Sequence, residues 1–474
     1  MKMTKKTLAI VLAAVIVVGG FIPIWYYLLP PRHLQLRIYN WENFMDRTLI
    51  REFEREYRNQ IGNNRFRVRY STFTSNERMY TQLVYNRGDF DLMVPSEYMV
   101  SRLIEGNHLH AIDLSRIPSL ATRTGEGESA TYALSTQVFD PNILNHLASI
   151  NAENTYAIPY IYGTLGILFD NRIEGLRDLI NKYGWSSLWL TADSDHTIRP
   201  MTTGANPRLV FPSFKNIGME AFVVVQMAMN RAELLRLIEE YGVNSTQYRT
   251  KLDNLFGANA EPTPAQIATI QEYLLGLSNY TFFEDEMSYL RFINGTNQHH
   301  FGMEWSVSAT YAMMMQPHLE YIVPEEGTNI WVNNLVIPSN ARNKDAAYAF
   351  LEFINRPENS IRNVMATGGT SPILEATEEI FVEFMNYGRY YFESTPHMNV
   401  NDEWMSNFII SWFPSGFAKN AFDERDDADY LEWLVDFQGV DGILDRAAVM
   451  HHFPNALTQL NTMMTNVQNI IATR

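Results

Sequence analysis

The chain has 474 residues, of which 46% are hydrophobic, and its formal net charge is -16 at pH 7. This length is too great for one compact core, so we expect two globular domains. The acidic balance argues against a nucleic-acid partner, and the absence of cysteine excludes disulfides, thiolate nucleophiles and a lipid attached through an N-terminal cysteine.

The chain begins with a basic cluster and a long apolar segment. Lys2, Lys5 and Lys6 precede an uncharged run at residues 7–29. At about 1.5 Å per residue, this run can cross a hydrocarbon layer of roughly 30 Å. The basic residues favour a cytoplasmic N-terminus, which would place the rest of the chain outside the cytoplasm. We therefore predict a single N-terminal transmembrane helix that anchors the protein to the cell membrane. A cleaved signal peptide is the alternative.

After this segment, strand and helix patterns alternate. Strands are predicted at 34–41, 66–73 and 89–95, and helices at 47–57, 74–86 and 96–105. Thr74 and Glu77 are expected to form a capping box for the second helix. This order predicts a mainly parallel sheet with helices on both faces, in which ligands bind beyond the carboxyl ends of strands. Trp41 and Ser96 stand at such ends.

The remaining elements are less evenly spaced. We predict a long helix at 220–240, a strand at 329–337, a helix at 345–354, and a helical C-terminal segment at 439–474 that is interrupted near Pro454. A loop is expected at 119–131 and an irregular, proline-bounded stretch at 156–169. The sequence contains no internal repeat.

Several short blocks follow one another in a defined order. They are YNWENF from Tyr39, TSNE from Thr74, FDLMVPSEY from Phe90, IPYIYGT from Ile158, GMEW from Gly302 and PEEGTNIWVNNLVIP from Pro324. Together these blocks, over residues 39–372, resemble the spermidine/putrescine-binding proteins of polyamine ABC importers. Each block alone is a weak signal, but the ordered set is specific.

The resemblance implies an α/β, two-lobed periplasmic-binding-protein-like fold of type II, with a mixed sheet flanked by helices in each lobe. The first lobe would comprise residues 32–157 and 330–375, the second 158–329 and 376–474, after the N-terminal segment 1–31. The chain would cross between lobes near 156–159 and 328–331. The implied partners are a small cationic ligand of the polyamine type and ABC permease subunits, without a cofactor. Segments 177–206 and 381–439 have no counterpart in the resemblance and are expected to be insertions.

A polyamine alternates ammonium groups with methylene stems, so its site needs carboxylates for the charges and aromatic faces for both. The predicted ligand-binding residues, named from the matching blocks and the implied alignment, are Trp41, Phe44, Ser96, Tyr98, Glu220, Trp305, Trp331 and Asn333. Other interpretations stay open for single residues. An aromatic residue taken alone can equally belong to a core, Glu220 can be a first-turn acid favoured by the helix dipole, and Ser96 can be an N-cap.

The chain departs from the family pattern at several positions. The resemblance implies an aspartate where Ile217 and Asn333 stand, and tyrosines where Gly369 and Phe44 stand. Two of three implied amine-binding carboxylates are therefore missing or neutral. Glu97 and Glu304 are unusual acids inside matching blocks. We expect both to face solvent, with compensation for the missing charges as the alternative.

No catalytic motif competes with this interpretation, since the chain lacks G-x-S-x-G, a phosphate loop and H-E-x-x-H. The adjacent pairs His299-His300 and His451-His452 point in different directions in a helix or strand, so a shared metal is not expected. We predict a protein that is not an enzyme. The alternatives are a receptor for a different solute and a membrane-anchored sensory or scaffold protein that transports nothing.

Overall fold

The computed structural model describes residues 30–151, 155–189, 201–202, 207–208, 211–215, 218–258, 260–277, 281–284, 288–294, 299–383, 411–412 and 443–473. The described strands are β1 (Gln35–Trp41), β2 (Arg67–Phe73), β3 (Leu92–Met93), β4 (Leu109–His110), β5 (Ala121–Thr124), β6 (Thr131–Leu134), β7 (Ile158–Asp170), β8 (Met201–Thr202), β9 (Pro207–Arg208), β10 (Phe211–Lys215), β11 (Phe282–Glu284), β12 (His299–Trp305), β13 (Leu319–Ile322), β14 (Thr328–Leu335), β15 (Ile337–Pro338) and β16 (Ala447–Ala448).

The described α-helices alternate with these strands in the first part of the chain and then dominate its end. They are α1 (Arg47–Ile61), α2 (Asn76–Val84), α3 (Glu97–Glu105), α4 (Pro141–Ala148), α5 (Leu176–Tyr183), α6 (Gly218–Tyr241), α7 (Thr246–Leu255), α8 (Pro264–Leu274), α9 (Tyr289–Asn294), α10 (Ser306–Met315), α11 (Lys344–Ile354), α12 (Pro357–Thr367), α13 (Leu374–Glu383) and α14 (Leu457–Ala472).

The first sheet has the order β2-β1-β3, and β1 pairs with both neighbours in parallel. Leu36 and Ile38 of β1 are fully buried and share one hydrophobic cluster with Leu49 and Phe53 of α1. The alternating β-α pattern of the sequence is confirmed here. The third strand is shorter than the predicted 89–95, and Pro95, which has no N–H to donate, lies two residues beyond its end.

The second sheet has the order β11-β10-β12-β7-β14-β16, and β13 also pairs with β7. Its central strand, β7, covers most of the stretch that we predicted to be irregular. Every residue from Ile158 to Phe169 is buried. A strand buried on both faces reads as a continuous apolar run without alternation, which explains the wrong prediction.

The two sheets are joined along β14. Residues 330–335 of β14 pair with β7 in antiparallel fashion, and Asn334 N donates to Pro95 O at 2.8 Å. Just beyond β14, Val336 and Met93 exchange two backbone hydrogen bonds of 2.9 Å. β7 and β14 therefore lie side by side in the second sheet, and the C-terminal end of β14 bonds to the chain just after β3. The two crossings between lobes stay predictions. The exact division of the chain into lobes stays a prediction.

Two predicted helix boundaries were wrong. α2 is capped by Ser75, whose hydroxyl accepts from Arg78 N at 3.2 Å, and not by Thr74. Ser75 has the extended backbone that an N-cap needs.

In the predicted C-terminal helical segment, the described part before α14 contains β16 and irregular backbone. There, the backbone N–H groups of Asn455 and Ala456 donate to the carboxylate of Glu261.

Within the described ranges, no helix is both long enough and apolar enough to cross a membrane. The predicted transmembrane segment at 7–29 lies outside the described residues. The same is true of most of the two predicted insertions. The described part of the first insertion includes most of α5, whose Arg177 pairs with Glu320.

Candidate functional site

The site is built around the second half of β14. Trp331 and Asn333 are two residues apart on this strand, so their side chains lie on the same face. Ser96 Oγ donates a hydrogen bond to Asn333 Oδ1 at 2.9 Å, and Ser96 N donates to Asn76 Oδ1 at 3.2 Å. Ser96 does stand at the N-cap position of α3, but its side chain makes no capping bond. Its hydroxyl instead donates its hydrogen bond to a residue of β14.

Three of the predicted aromatic residues form a connected group. The ring centroids of Phe44 and Trp331 are 6.3 Å apart, and those of Trp41 and Phe44 are 6.5 Å apart. Tyr160 Oη donates to Phe44 O at 2.7 Å and holds the loop after β1 in place. Among the described residues, the buried indole Nε1 atoms of Trp41 and Trp331 have no hydrogen-bond partner. Both indole N–H groups are thus available to a water molecule or a ligand.

Glycine at position 163 allows Trp331 to pack against β7. A Cβ atom at Gly163 would lie 2.5 Å from the Trp331 ring, closer than real Cβ contacts. It would also collide with the hydroxyl of Ser306, which accepts a hydrogen bond from Thr164 N. Trp305, which precedes Ser306 at the end of β12, packs against the same two hydrophobic clusters as Trp41.

Two buried carboxyl groups from different helices lie at the polar end of the site. Glu97 is on the first turn of α3 and Glu220 is on the first turn of α6. The pKa of Glu97 is raised to about 8, mainly by burial and to a smaller extent by the charge of Glu220, against the opposing effect of backbone N–H groups, chiefly that of Val332. Burial also raises the pKa of the Tyr98 hydroxyl, with Glu77 and Glu220 adding to the effect. Glu220 therefore acts on both Glu97 and Tyr98.

The expectation that Glu97 and Glu304 face solvent was wrong, since both are 0% exposed. Glu97 Oε2 accepts from Val332 N at 2.8 Å, and Glu304 Oε1 accepts from Trp305 N at 3.0 Å. Each acid lies inside an apolar block of the sequence, which was the available signal for burial. The backbone donors that they accept from depend on the fold, and for Glu97 the donor is 235 positions away.

The structure thus places the eight predicted residues in three positions. Trp41, Phe44 and Trp331 form the aromatic group, Trp305 stands at the end of β12, and the polar members Ser96, Tyr98, Glu220 and Asn333 surround the start of α3 and α6. Sequence reasoning missed two supporting residues, Asn76 and Tyr160, and it named Glu97 only as an alternative source of charge. All three lie inside the matching blocks, but nothing local marks them as part of a site.

The other departures from the family pattern have different outcomes. Ile217 lies outside the described residues. At Gly369 a Cβ atom would collide with Ile161, so a tyrosine would not fit this backbone without rearrangement.

Where the structure describes the chain, no cluster of three His, Asp or Glu side chains is suited to hold a metal ion.

Comparison with known proteins finds relatives among solute-binding proteins. Residues 245–384 match the family model described as bacterial extracellular solute-binding protein. The spermidine/putrescine-binding periplasmic protein of Salmonella typhimurium is 26% identical over 356 residues, which are 74% of this chain and 81% of that protein. The protein of the same description from Escherichia coli strain K12 is 25% identical over 374 residues, 78% of this chain and 86% of its own. A putrescine/agmatine-binding protein of Pseudomonas aeruginosa is 23% identical, over 68% of this chain and 74% of its own.

Solved structures share the fold over most of the chain. The spermidine/putrescine ABC transporter substrate-binding protein PotD from Streptococcus pneumoniae has a TM-score of 0.56 and 21% identity, covering 92% of this chain and 99% of that one. A putative spermidine/putrescine ABC transporter from Listeria monocytogenes has a TM-score of 0.53, also at 21% identity, covering 92% of this chain and 98% of its own. These similarities show the two-lobed, mixed α/β binding-protein fold.

Proposed function

We propose that this chain, which belongs to the family of solute-binding proteins that includes the spermidine/putrescine-binding periplasmic proteins, captures a polyamine or a related cationic small molecule for an ABC importer. The chain is not an enzyme, because proteins of this family and fold bind solutes and perform no covalent chemistry. The ligand's permease would be its protein partner.

The observation that carries this proposal is the position of Glu220 beside Tyr98, next to a β14 face that presents Trp331. A carboxylate is the natural partner of an ammonium group, and an indole face binds both the cation and its methylene stem. Glu220 is only 8% exposed, so its charge would act in surroundings where water competes weakly. The predicted residues then have distinct roles: Trp41, Phe44, Trp305 and Trp331 for the stem, Ser96 and Asn333 for hydrogen bonds, and Tyr98 and Glu220 for the amine.

Two neighbouring strands of the second sheet supply the hinge of the proposal. β7 and β14 are the candidate hinge, and Glu220 and Ser96 belong to the two different predicted lobes. A ligand that contacts both would stabilise the closed arrangement by mass action, by about 2.7 kcal/mol at a concentration 100 times its dissociation constant. Capture of the ligand would then require only closure of the two lobes around it, with no covalent step.

The residues before the first lobe complete the proposal. We infer that the apolar segment 7–29 anchors the protein in the cell membrane with the lobes on the extracytoplasmic side. Intact-mass measurement of the membrane-extracted protein tests this inference. A mature chain that lacks residues 1–29 would identify the segment as a cleaved signal peptide.

The ligand is identified by mass spectrometry of small molecules released from the purified protein, followed by titration calorimetry with spermidine, putrescine and agmatine. Co-purification of one of these amines and saturable binding are expected. A co-purifying sugar or peptide, with no heat from any amine, would overturn the polyamine proposal. Binding without transport in a strain that carries the permease genes would favour a sensory receptor.

A further inference from the structure

Glu97 occupies an unusual position for an acid. Its side chain is 0% exposed on the first turn of α3. Val332 N donates to Oε2 at 2.8 Å, whereas Oε1 meets no hydrogen-bond donor among the described residues. A buried carboxyl oxygen without a donor costs free energy, so a stable arrangement requires a proton or an external donor at this atom.

The surroundings of Glu97 place it inside the candidate site. Val332, which donates to it, lies between Trp331 and Asn333, and Tyr98 follows it in α3. The charge that acts on it from another element is that of Glu220, on α6. Two buried carboxylates whose charges act on each other repel when both are ionised, and a cation bound beside both would offset this repulsion.

We propose that Glu97 is a ligand-binding carboxylate, which together with Glu220 holds one ammonium group of the ligand and supplies the charge that Asn333 lacks. This inference rests on the proposed function, since it concerns the amine of the same solute. It assigns the amine to the polar end of the site, where carboxyl groups from both predicted lobes meet. It also makes the site selective for ligands with a compact, charged end group.

A proton is coupled to this arrangement. Because the pKa of Glu97 is about 8 in these surroundings, its carboxyl group holds a proton near pH 7 when no cation is present. The neighbouring Tyr98 hydroxyl stays neutral in this range because burial raises its pKa. An ammonium group favours the ionised form of Glu97, so ligand binding should expel the proton to solvent. Affinity should therefore increase as the pH rises from 6 to 8.

The test is calorimetry with putrescine, whose two amines both stay protonated over this pH range, in pairs of buffers that differ in ionisation enthalpy. The wild-type protein should release up to one proton per ligand at pH 7, and its affinity should rise by up to about tenfold per pH unit below the pKa of Glu97. Glu97→Gln should release no proton, bind about 10- to 100-fold more weakly at pH 8, and approach the wild type at pH 6.

Glu105→Gln is the matched control, because Glu105 is on the last turn of the same helix and its side chain is 57% exposed. It should leave proton release and affinity unchanged. Equal putrescine affinity and equal proton release in Glu97→Gln and wild type would overturn the inference while leaving the proposed function intact. Failure of the wild-type protein to bind any amine would instead contradict the proposed function. Circular dichroism checks that Glu97→Gln is folded.

Discussion

Ser96 Oγ lies 2.9 Å from Asn333 Oδ1, which ties the start of α3 to β14 through two side chains 237 positions apart. Both side chains are buried, and the backbone of Asn334 reinforces the connection by donating to Pro95 O. Because the hydroxyl donates, the amide oxygen of Asn333 is already engaged. This hydrogen bond therefore fixes which atoms of Asn333 are left to contact a ligand.

Replacing Ser96 with alanine should loosen this connection. Ser96→Ala removes the donor and leaves a buried amide oxygen unsatisfied, which should cost about 1–3 kcal/mol of the free energy of unfolding. Urea denaturation measures the loss. Ser101→Ala is the control and should change stability little, since within the described part of the chain the Ser101 hydroxyl bonds only to Glu105 of the same helix. Equal stability of the two variants would mean that the Ser96 hydrogen bond is not formed in solution.

Trp331 has both a packing and a ligand-facing role, and two substitutions separate them. Trp331→Ala should destabilise the fold by about 3–5 kcal/mol, because the ring is 8% exposed and fills the space above Gly163. Trp331→Phe keeps most of the ring and should cost less stability. It should still weaken amine binding, because the phenyl face attracts a cation less than the indole face. Unchanged affinity in Trp331→Phe would place this ring in the core alone.

The architecture of the first sheet could be predicted from sequence because hydrophobic periodicity reports which residues face a core. That signal disappears in β7, where burial on both faces removes the alternation, and the strand was misread. The cap of α2 was displaced by one residue for a different reason. Thr74 and Ser75 are both good N-cap residues, and only the backbone conformation chooses between them.

Only the part of the candidate site that the short blocks and the implied alignment identify could be predicted. They named the aromatic residues and Glu220, but local sequence placed Glu97 on the surface. Its burial depends on β14, which arrives from the far end of the chain to donate Val332 N. No local pattern encodes that contact. The same holds for Tyr160, which supports the loop of Phe44 across 116 positions.

Asp91 should be the most sensitive acidic residue of the first lobe. It is 0% exposed and accepts from Arg32 Nη1 at 2.8 Å and from the backbone N–H groups of Arg342 and Asn343. Asp91→Asn should lower the free energy of unfolding by about 1–3 kcal/mol, since its amide nitrogen cannot accept the hydrogen bonds that one carboxylate oxygen accepts, while Arg32 keeps its ion pair with Asp89. Asp89→Asn, whose side chain is 26% exposed, should cost less. Thermal unfolding of both variants would show the ranking, and a larger loss for Asp89→Asn would contradict it.

Stability should fall in acid partly through His146. Burial, together with the charge of Arg249, lowers the pKa of this histidine from 6.5 to about 4, and the hydrogen bond with Leu444 O opposes this shift. Between these values the unfolded chain binds a proton that the folded protein excludes, so the free energy of unfolding decreases as the pH falls from about 6.5 to 4. The total effect is about 3 kcal/mol. His146→Gln should flatten the pH dependence of denaturant midpoints in this range. An unchanged slope would mean that His146 titrates normally in the folded protein.

The last prediction concerns Asn333, which stands where the family resemblance implies an aspartate. In Asn333→Asp one carboxylate oxygen can keep the hydrogen bond from Ser96, and the other adds a charge to a site that already contains Glu97 and Glu220. Without ligand, the added repulsion should lower the melting temperature. With ligand, two charges about 4 Å apart attract by roughly 4 kcal/mol at an effective dielectric of 20.

After desolvation, about 1–2 kcal/mol of this attraction should remain, or about 5- to 30-fold in spermidine affinity. Because the position is only 3% exposed, added salt should reduce the gain little. Calorimetry at low and high salt, beside melting curves with and without spermidine, measures both effects. Ligand should restore the melting temperature lost in its absence. A folded Asn333→Asp protein that binds spermidine no better than wild type would mean that the amine lies away from this position, at Glu97 and Glu220 alone.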